Sequence, residues 1–141
     1  MSYTFPKVKL NDDGLFGPTL KKHYYKPVGY HNKTGESSKH KTLWVLKQNE
    51  QYEPFRISDE KAWICAKNKG LFSILDNGNV IMGTNEERIS FFPNPVNKTD
   101  PWHGYPIDSG EKDPSIDLVD KWLKDKIIDD RIHYKILKGQ I

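Results

Sequence analysis

The stretch from Phe91 to Pro106, reading Phe-Phe-Pro-Asn-Pro-Val-Asn-Lys-Thr-Asp-Pro-Trp-His-Gly-Tyr-Pro, constrains this chain more than any other segment. Each of its four prolines removes a backbone donor and fixes φ, so the stretch as a whole is neither a helix nor a central strand. It still holds two phenylalanines, a tryptophan and a tyrosine, large rings that gain most when removed from water. Trp102-His103-Gly104-Tyr105 is therefore expected to pack against the body of the domain or against a partner. Docking between a sheet and its helices is the expected arrangement.

A chain of 141 residues has room for one domain with one continuous core. Only 35% of the residues are hydrophobic, but 12% of the chain is aromatic, which predicts a small, ring-rich core. Mean hydropathy is −0.78, and no apolar run approaches the roughly 20 residues that cross a bilayer. The first residues lack the apolar segment of about 7–15 residues that marks a secretory signal. The one cysteine, Cys65, excludes an internal disulfide and a multi-cysteine zinc site, and it is read as a mid-helix core residue. These features set the expectation of a cytoplasmic protein with no membrane partner and no cofactor or metal.

The net charge of +3 is modest, but its distribution is not. Lys21, Lys22, Lys26, Lys33, Lys39 and Lys41 face a single acid, Glu36, so this segment holds more than the whole net charge. Asn32 to Lys39 is rich in turn-forming residues, and residues 1–41 read as a basic, partly irregular arm and loop. Residues 42–141 read as one globular domain.

Within that domain the sequence predicts an α+β fold. Leu43–Leu46 suits a buried strand, and Tyr52–Ile57 suits a returning one. Ser58 is placed to cap a helix that ends near Lys69 with Gly70 beyond it, although a strand through Ala62–Ala66 competes. Leu71–Leu75 and Val80–Met82 flank an Asn-Gly turn, and Arg88–Phe92 follows. The order is ββαβββ: a small, mainly antiparallel sheet with an inserted helix. At the C-terminal end, Asp113 with Pro114 opens a helix whose Ile116, Val119, Trp122 or Leu123, and Ile127 recur at helical spacing. Asp129 or Asp130 caps a second helix with Ile132 and Ile136 inward and Arg131, Lys135 and Lys138 outward. The pair has the outline of a helix-turn-helix but few side chains suited to base edges, so a helical hairpin covering the sheet is expected.

Two functional readings follow. Lys21-Lys22-His23-Tyr24-Tyr25-Lys26 interleaves cations with rings, the combination that holds RNA or single-stranded DNA by phosphate neutralisation and base stacking. Lys33, Lys39 and Lys41 extend that charge. A catalytic form of this reading, metal-independent ribonuclease chemistry, takes His103 as acid or base, Arg88 to stabilise the phosphorane, and Tyr105 as the hydroxyl. The alternative is a protein-binding inhibitor or immunity-type partner of a protein with an acidic face. In that case Trp102 and Tyr105 of loop 91–106 are the anchors. No His-Glu-x-x-His, Gly-x-Ser-x-Gly or glycine-rich phosphate loop is present.

Overall fold

A computed structural model describes residues 3–27 and 43–141. The fold is α+β, with helices on both faces of a small antiparallel sheet. Strands β1 (Ile64–Cys65), β2 (Gly70–Ile74), β3 (Ile89–Pro93) and β4 (Tyr105–Ile107) lie in chain order across the sheet. Helix α1 (Gln48–Glu60) precedes them, while α2 (Ile116–Lys124) and α3 (Asp130–Leu137) follow as a C-terminal pair. No helix among the described residues is long and apolar enough to cross a membrane.

Strand alternation divides the core in two. Phe72 and Ile74 of β2 lie beside Phe91 and Ile89 of β3, and with Cys65, Ile107 and Trp63 they meet Leu118, Val119, Trp122, Ile132 and Ile136 of the helical pair. Leu71, Leu75 and Phe92 point the other way, onto Tyr52 and Phe55 of α1 and onto Phe16, Tyr25, Trp44 and Trp102. Both faces of the sheet are covered, which is why every residue of β2 is buried. The caps of the helical pair are side-chain oxygens: Ser115 accepts from the Leu118 N–H and Asp129 from the Ile132 N–H.

The proline-rich stretch supplies the end of one strand and all of another. Pro93 closes β3, and Pro106 sits in β4 at the sheet edge, where a missing N–H leaves no ladder bond unmade. Gly104 just before β4 must be glycine, since an added Cβ would lie 2.4 Å from the Phe91 carbonyl oxygen and 2.2 Å from the Phe92 ring. The Gly104 carbonyl accepts the Trp44 indole N–H at 3.0 Å.

Several local expectations shift position. Tyr52–Ile57 is helical, and the helix runs Gln48–Glu60 rather than from Ser58 to Lys69. Its buried stripe, Gln51, Tyr52, Phe55, Ser58 and Asp59, has helical spacing but is mostly polar, and Pro54 lies inside it. Both features hide a helix from a search for apolar periodicity. Residues Ile64–Cys65 form β1, so Cys65 is a buried strand residue rather than a helical one. Gly70 opens β2, with the Phe91 ring and Phe92 carbonyl pressed on its Cα. Val80–Met82 forms no ladder; β2 pairs with Ile89–Pro93, and Trp44 makes only an isolated bridge to Gly83.

Candidate functional site

The basic segment and the proline-rich loop, far apart in sequence, are neighbours in space. Residues 16 to 25 form a tight hairpin closed by mutual backbone bonds between Phe16 and Tyr25, each 2.9 Å. Its loop is Leu20-Lys21-Lys22: the Lys22 N–H returns to the Thr19 carbonyl at 2.9 Å, and Lys22 sits at φ 65°. That left-handed position normally takes glycine, because a Cβ there crowds the backbone. The outer strand of the hairpin then pairs in parallel with the loop: Trp102 N–H donates to the Tyr24 carbonyl at 2.8 Å, and Lys26 N–H donates to the Trp102 carbonyl at 2.7 Å.

This geometry delivers His23 onto the end of α1. Its Nδ1 lies 2.9 and 3.0 Å from the two carboxylate oxygens of Asp59. Asp59 is 3% exposed and also accepts the Thr19 hydroxyl at 2.6 Å. A buried carboxylate needs such donors, because it has left water behind. The Thr19 hydroxyl in turn accepts the His23 backbone N–H at 3.2 Å, and Leu20 N–H reaches Glu60 at 3.0 Å. The imidazole leans on Trp102, centroid to centroid 5.7 Å. Nε2 makes no hydrogen bond among the described residues, and in the neutral tautomer that donates Nδ1–H to Asp59 it is the nitrogen that carries the lone pair. The ring borders a cavity of about 250 Å³ shared with Lys22, Tyr24, Lys98, Thr99 and Asp100. Lys22 and Lys98 are exposed, while Asp100 on the same rim is held by the Asn97 amide at 3.2 Å.

The residues expected from sequence divide clearly. Lys21, Lys22 and Lys26 are exposed and Tyr24 is half-buried beside them. Lys33, Lys39 and Lys41 lie outside the described residues. Tyr25, expected to stack on a base, is instead a core residue with no exposed surface. Its hydroxyl donates to Gln51 at 2.9 Å, its ring packs on Phe55 and Phe92, and burial pushes its phenol pKa well above the usual value. Trp102 is 8% exposed and packs on Phe55, so it offers little ring surface for stacking.

His103, Arg88 and Tyr105 do not assemble into one site. Tyr105 pairs with Phe91 in the ladder and packs edge-on against its ring at 5.9 Å. Arg88 lies three positions before Phe91, roughly 10 Å along the strand direction, and donates to the Gly78 carbonyl at 2.7 Å. It borders a cavity of about 580 Å³ in which Arg131 and Lys135 face Glu86, Glu87 and Asp108, a balance of charge that favours no anion. His103 is half-buried next to Trp102.

Sequence reasoning singled out neither Asp59 as a partner of His23 nor Lys98 as a neighbour of the basic segment. Asp59 directly follows Ser58, the expected cap of a helix, and 36 residues separate it from His23. Its one visible signal is its place in the polar buried stripe of α1. Among the described residues, no group of three or more His, Cys, Asp and Glu is placed to hold a metal ion. Comparison with protein-family models, curated proteins and solved structures returns no match. The site alone must therefore carry the functional argument.

Proposed function

We propose that this protein contacts RNA or single-stranded nucleic acid through the outer strand of the 16–25 hairpin. The observation that carries the reading is the parallel pairing of Tyr24–Lys26 with Trp102. Through it Lys22, Tyr24 and Lys98 come to border one cavity, with exposed Lys21 and Lys26 flanking in sequence. Cations around a partly open ring suit a backbone of phosphates with unstacked bases. Lys33, Lys39 and Lys41 add charge to the same stretch of chain.

The test is fluorescence polarisation with labelled single-stranded RNA and DNA at 50 and 200 mM salt. Four phosphate contacts predict an affinity loss of roughly 50-fold between the two salts, from a slope of about 0.7 per contact on single strands. Reversing Lys21, Lys22 and Lys26 to glutamate should abolish binding with the melting temperature little changed. Affinity retained in that variant would overturn the reading.

A protein with an acidic face is the second reading. Val96 in loop 91–106 and Leu20 at the hairpin tip stand 98% and 85% exposed. Side chains of this kind gain from being covered in an interface, while the lysines steer the approach. Val96→Asn with Leu20→Asn, which add no charge, should leave RNA affinity within about two-fold under the first reading, and should disrupt a protein complex under the second.

A further inference from the structure

We infer that His23 is a general base for cleavage of RNA, with Asp59 as its positioning residue. The inference rests on the nucleic-acid reading above and assigns its chemistry to a different histidine from the one the sequence suggested. Three observations carry it. The His23 Nδ1 is clamped by a carboxylate that is itself buried and oriented by Thr19. The opposite ring nitrogen has no hydrogen-bond partner among the described residues, and the ring borders a cavity. Two lysines, Lys22 and Lys98, border the same cavity and supply the positive charge that a phosphorane requires.

A base oriented in this way needs a nucleophile. On an RNA substrate the attacking group can come from the substrate itself, so Thr99, whose hydroxyl belongs to a residue bordering the cavity, is not needed as the nucleophile. The ribose 2′-hydroxyl meets that need. His23 Nε2 takes the 2′-hydroxyl proton as the 2′ oxygen forms its bond to phosphorus. The P–O5′ bond breaks, and the leaving 5′ oxygen takes a proton from solvent water. Imidazolium then returns its proton to water. The products are a 2′,3′-cyclic phosphate and a 5′-hydroxyl end, with no oxidant or reductant involved. Asp59 keeps Nδ1 protonated and stabilises the imidazolium while the transfer occurs, and the Trp102 ring restricts rotation of the imidazole.

The experiment uses the full chain with a fluorescent single-stranded RNA, its all-deoxy counterpart, and the same RNA carrying 2′-deoxyribose at each cleaved position. Binding and cleavage are followed in parallel. The wild type should bind all three and cleave only the unmodified RNA, leaving cyclic phosphate ends. His23→Gln should bind within about two-fold of wild type and cleave about 10²- to 10⁴-fold more slowly, the range of general acid–base catalysis. Asp59→Asn should lower kcat per folded protein, the folded fraction being read from a parallel melting curve, and should alter the pH profile of kcat, which loss of folded protein alone does not do. Lys98→Ala changes only an exposed side chain, so its expected loss of rate decides the matter should His23→Gln fail to fold. Binding by the wild type without cleavage would overturn this inference and leave the binding surface standing. Cleavage equal to wild type in a folded His23→Gln, or in Lys98→Ala, would also overturn it. Absence of binding at low salt would overturn both proposals together.

Discussion

Two histidine–aspartate pairs among the described residues occupy opposite kinds of environment. His133 Nε2 meets Asp120 Oδ1 at 2.8 Å across the α2–α3 pair, with the aspartate side chain 58% exposed. His23 meets Asp59 at 2.9 Å, with the aspartate side chain 4% exposed and a threonine hydroxyl on its second oxygen. The distances are alike; the surroundings are not. Water solvates Asp120 whether or not His133 is present, so that pair adds little to stability. Asp59 has surrendered its water and depends on its protein donors, so each partner holds the others in place. The outer pair uses Nε2 and ties one helix to the next. The inner pair uses Nδ1, Nε2 makes no hydrogen bond among the described residues, and His23 lines a cavity, a combination that suits a proton acceptor.

The contrast can be broken most forcefully by removing the carboxylates. Asp59→Ala leaves the Thr19 hydroxyl and the His23 ring without their acceptor and should destabilise the domain by about 2–3 kcal/mol. Asp120→Ala should cost less than about 0.5 kcal/mol. Urea unfolding of the two variants gives the comparison directly, and similar midpoints would show that Asp59 is not energetically buried. A double-mutant cycle on each pair sharpens the point. The coupling should be about 1–2 kcal/mol for His23 with Asp59 and below about 0.5 kcal/mol for His133 with Asp120.

Thr19→Val keeps shape but deletes a donor to Asp59, and should cost about 1 kcal/mol. A midpoint equal to wild type would argue that the hydroxyl is dispensable to the cluster. Lys22→Gly should move stability and binding in opposite directions. Relief of the left-handed position should raise stability by up to about 1 kcal/mol, while RNA affinity in polarisation falls by the loss of one phosphate contact. Equal or better affinity would remove Lys22 from the surface.

The smallest effect belongs to the outer region. The Ile132 backbone N–H, and after it the Asn77 amide, hold the Asp129 carboxyl below the usual carboxylate range. Its folded pKa lies below its unfolded one, so the capping contribution is complete above the unfolded value and is lost as pH falls through the folded value. Circular dichroism melts should therefore show a loss of stability below about pH 4. Asp129→Asn should flatten that dependence while keeping a cap.

The legible parts of this chain were those decided by local chemistry. The C-terminal helices could be read because Val119, Trp122, Ile132 and Ile136 recur at helical spacing, and each of these four is buried as that spacing requires; Asp129 caps α3 as expected, whereas Ser115 rather than Asp113 caps α2. Strands β2 and β3 were visible as apolar runs, and the Asp76-Asn77-Gly78 turn as a left-handed signal that the backbone adopts, with φ of 50°, 55° and 78°. Helix α1 was not legible. Its buried stripe holds Gln51, Ser58 and Asp59, whose burial makes sense only once Tyr25, Thr19 and His23 are seen to satisfy them.

The same division applies to the site. Sequence alone determined that charge concentrates near Lys21–Lys41 and that the Trp102–Tyr105 stretch must be packed, because both follow from the properties of the residues themselves. Only tertiary structure decided that the two features pair through Tyr25 and Trp102, and that His23 meets the buried carboxylate of Asp59. Hydrogen bonds across 36 residues leave no periodicity to read. They depend on where the backbone turns, and that was settled by a core packed from both faces of the sheet.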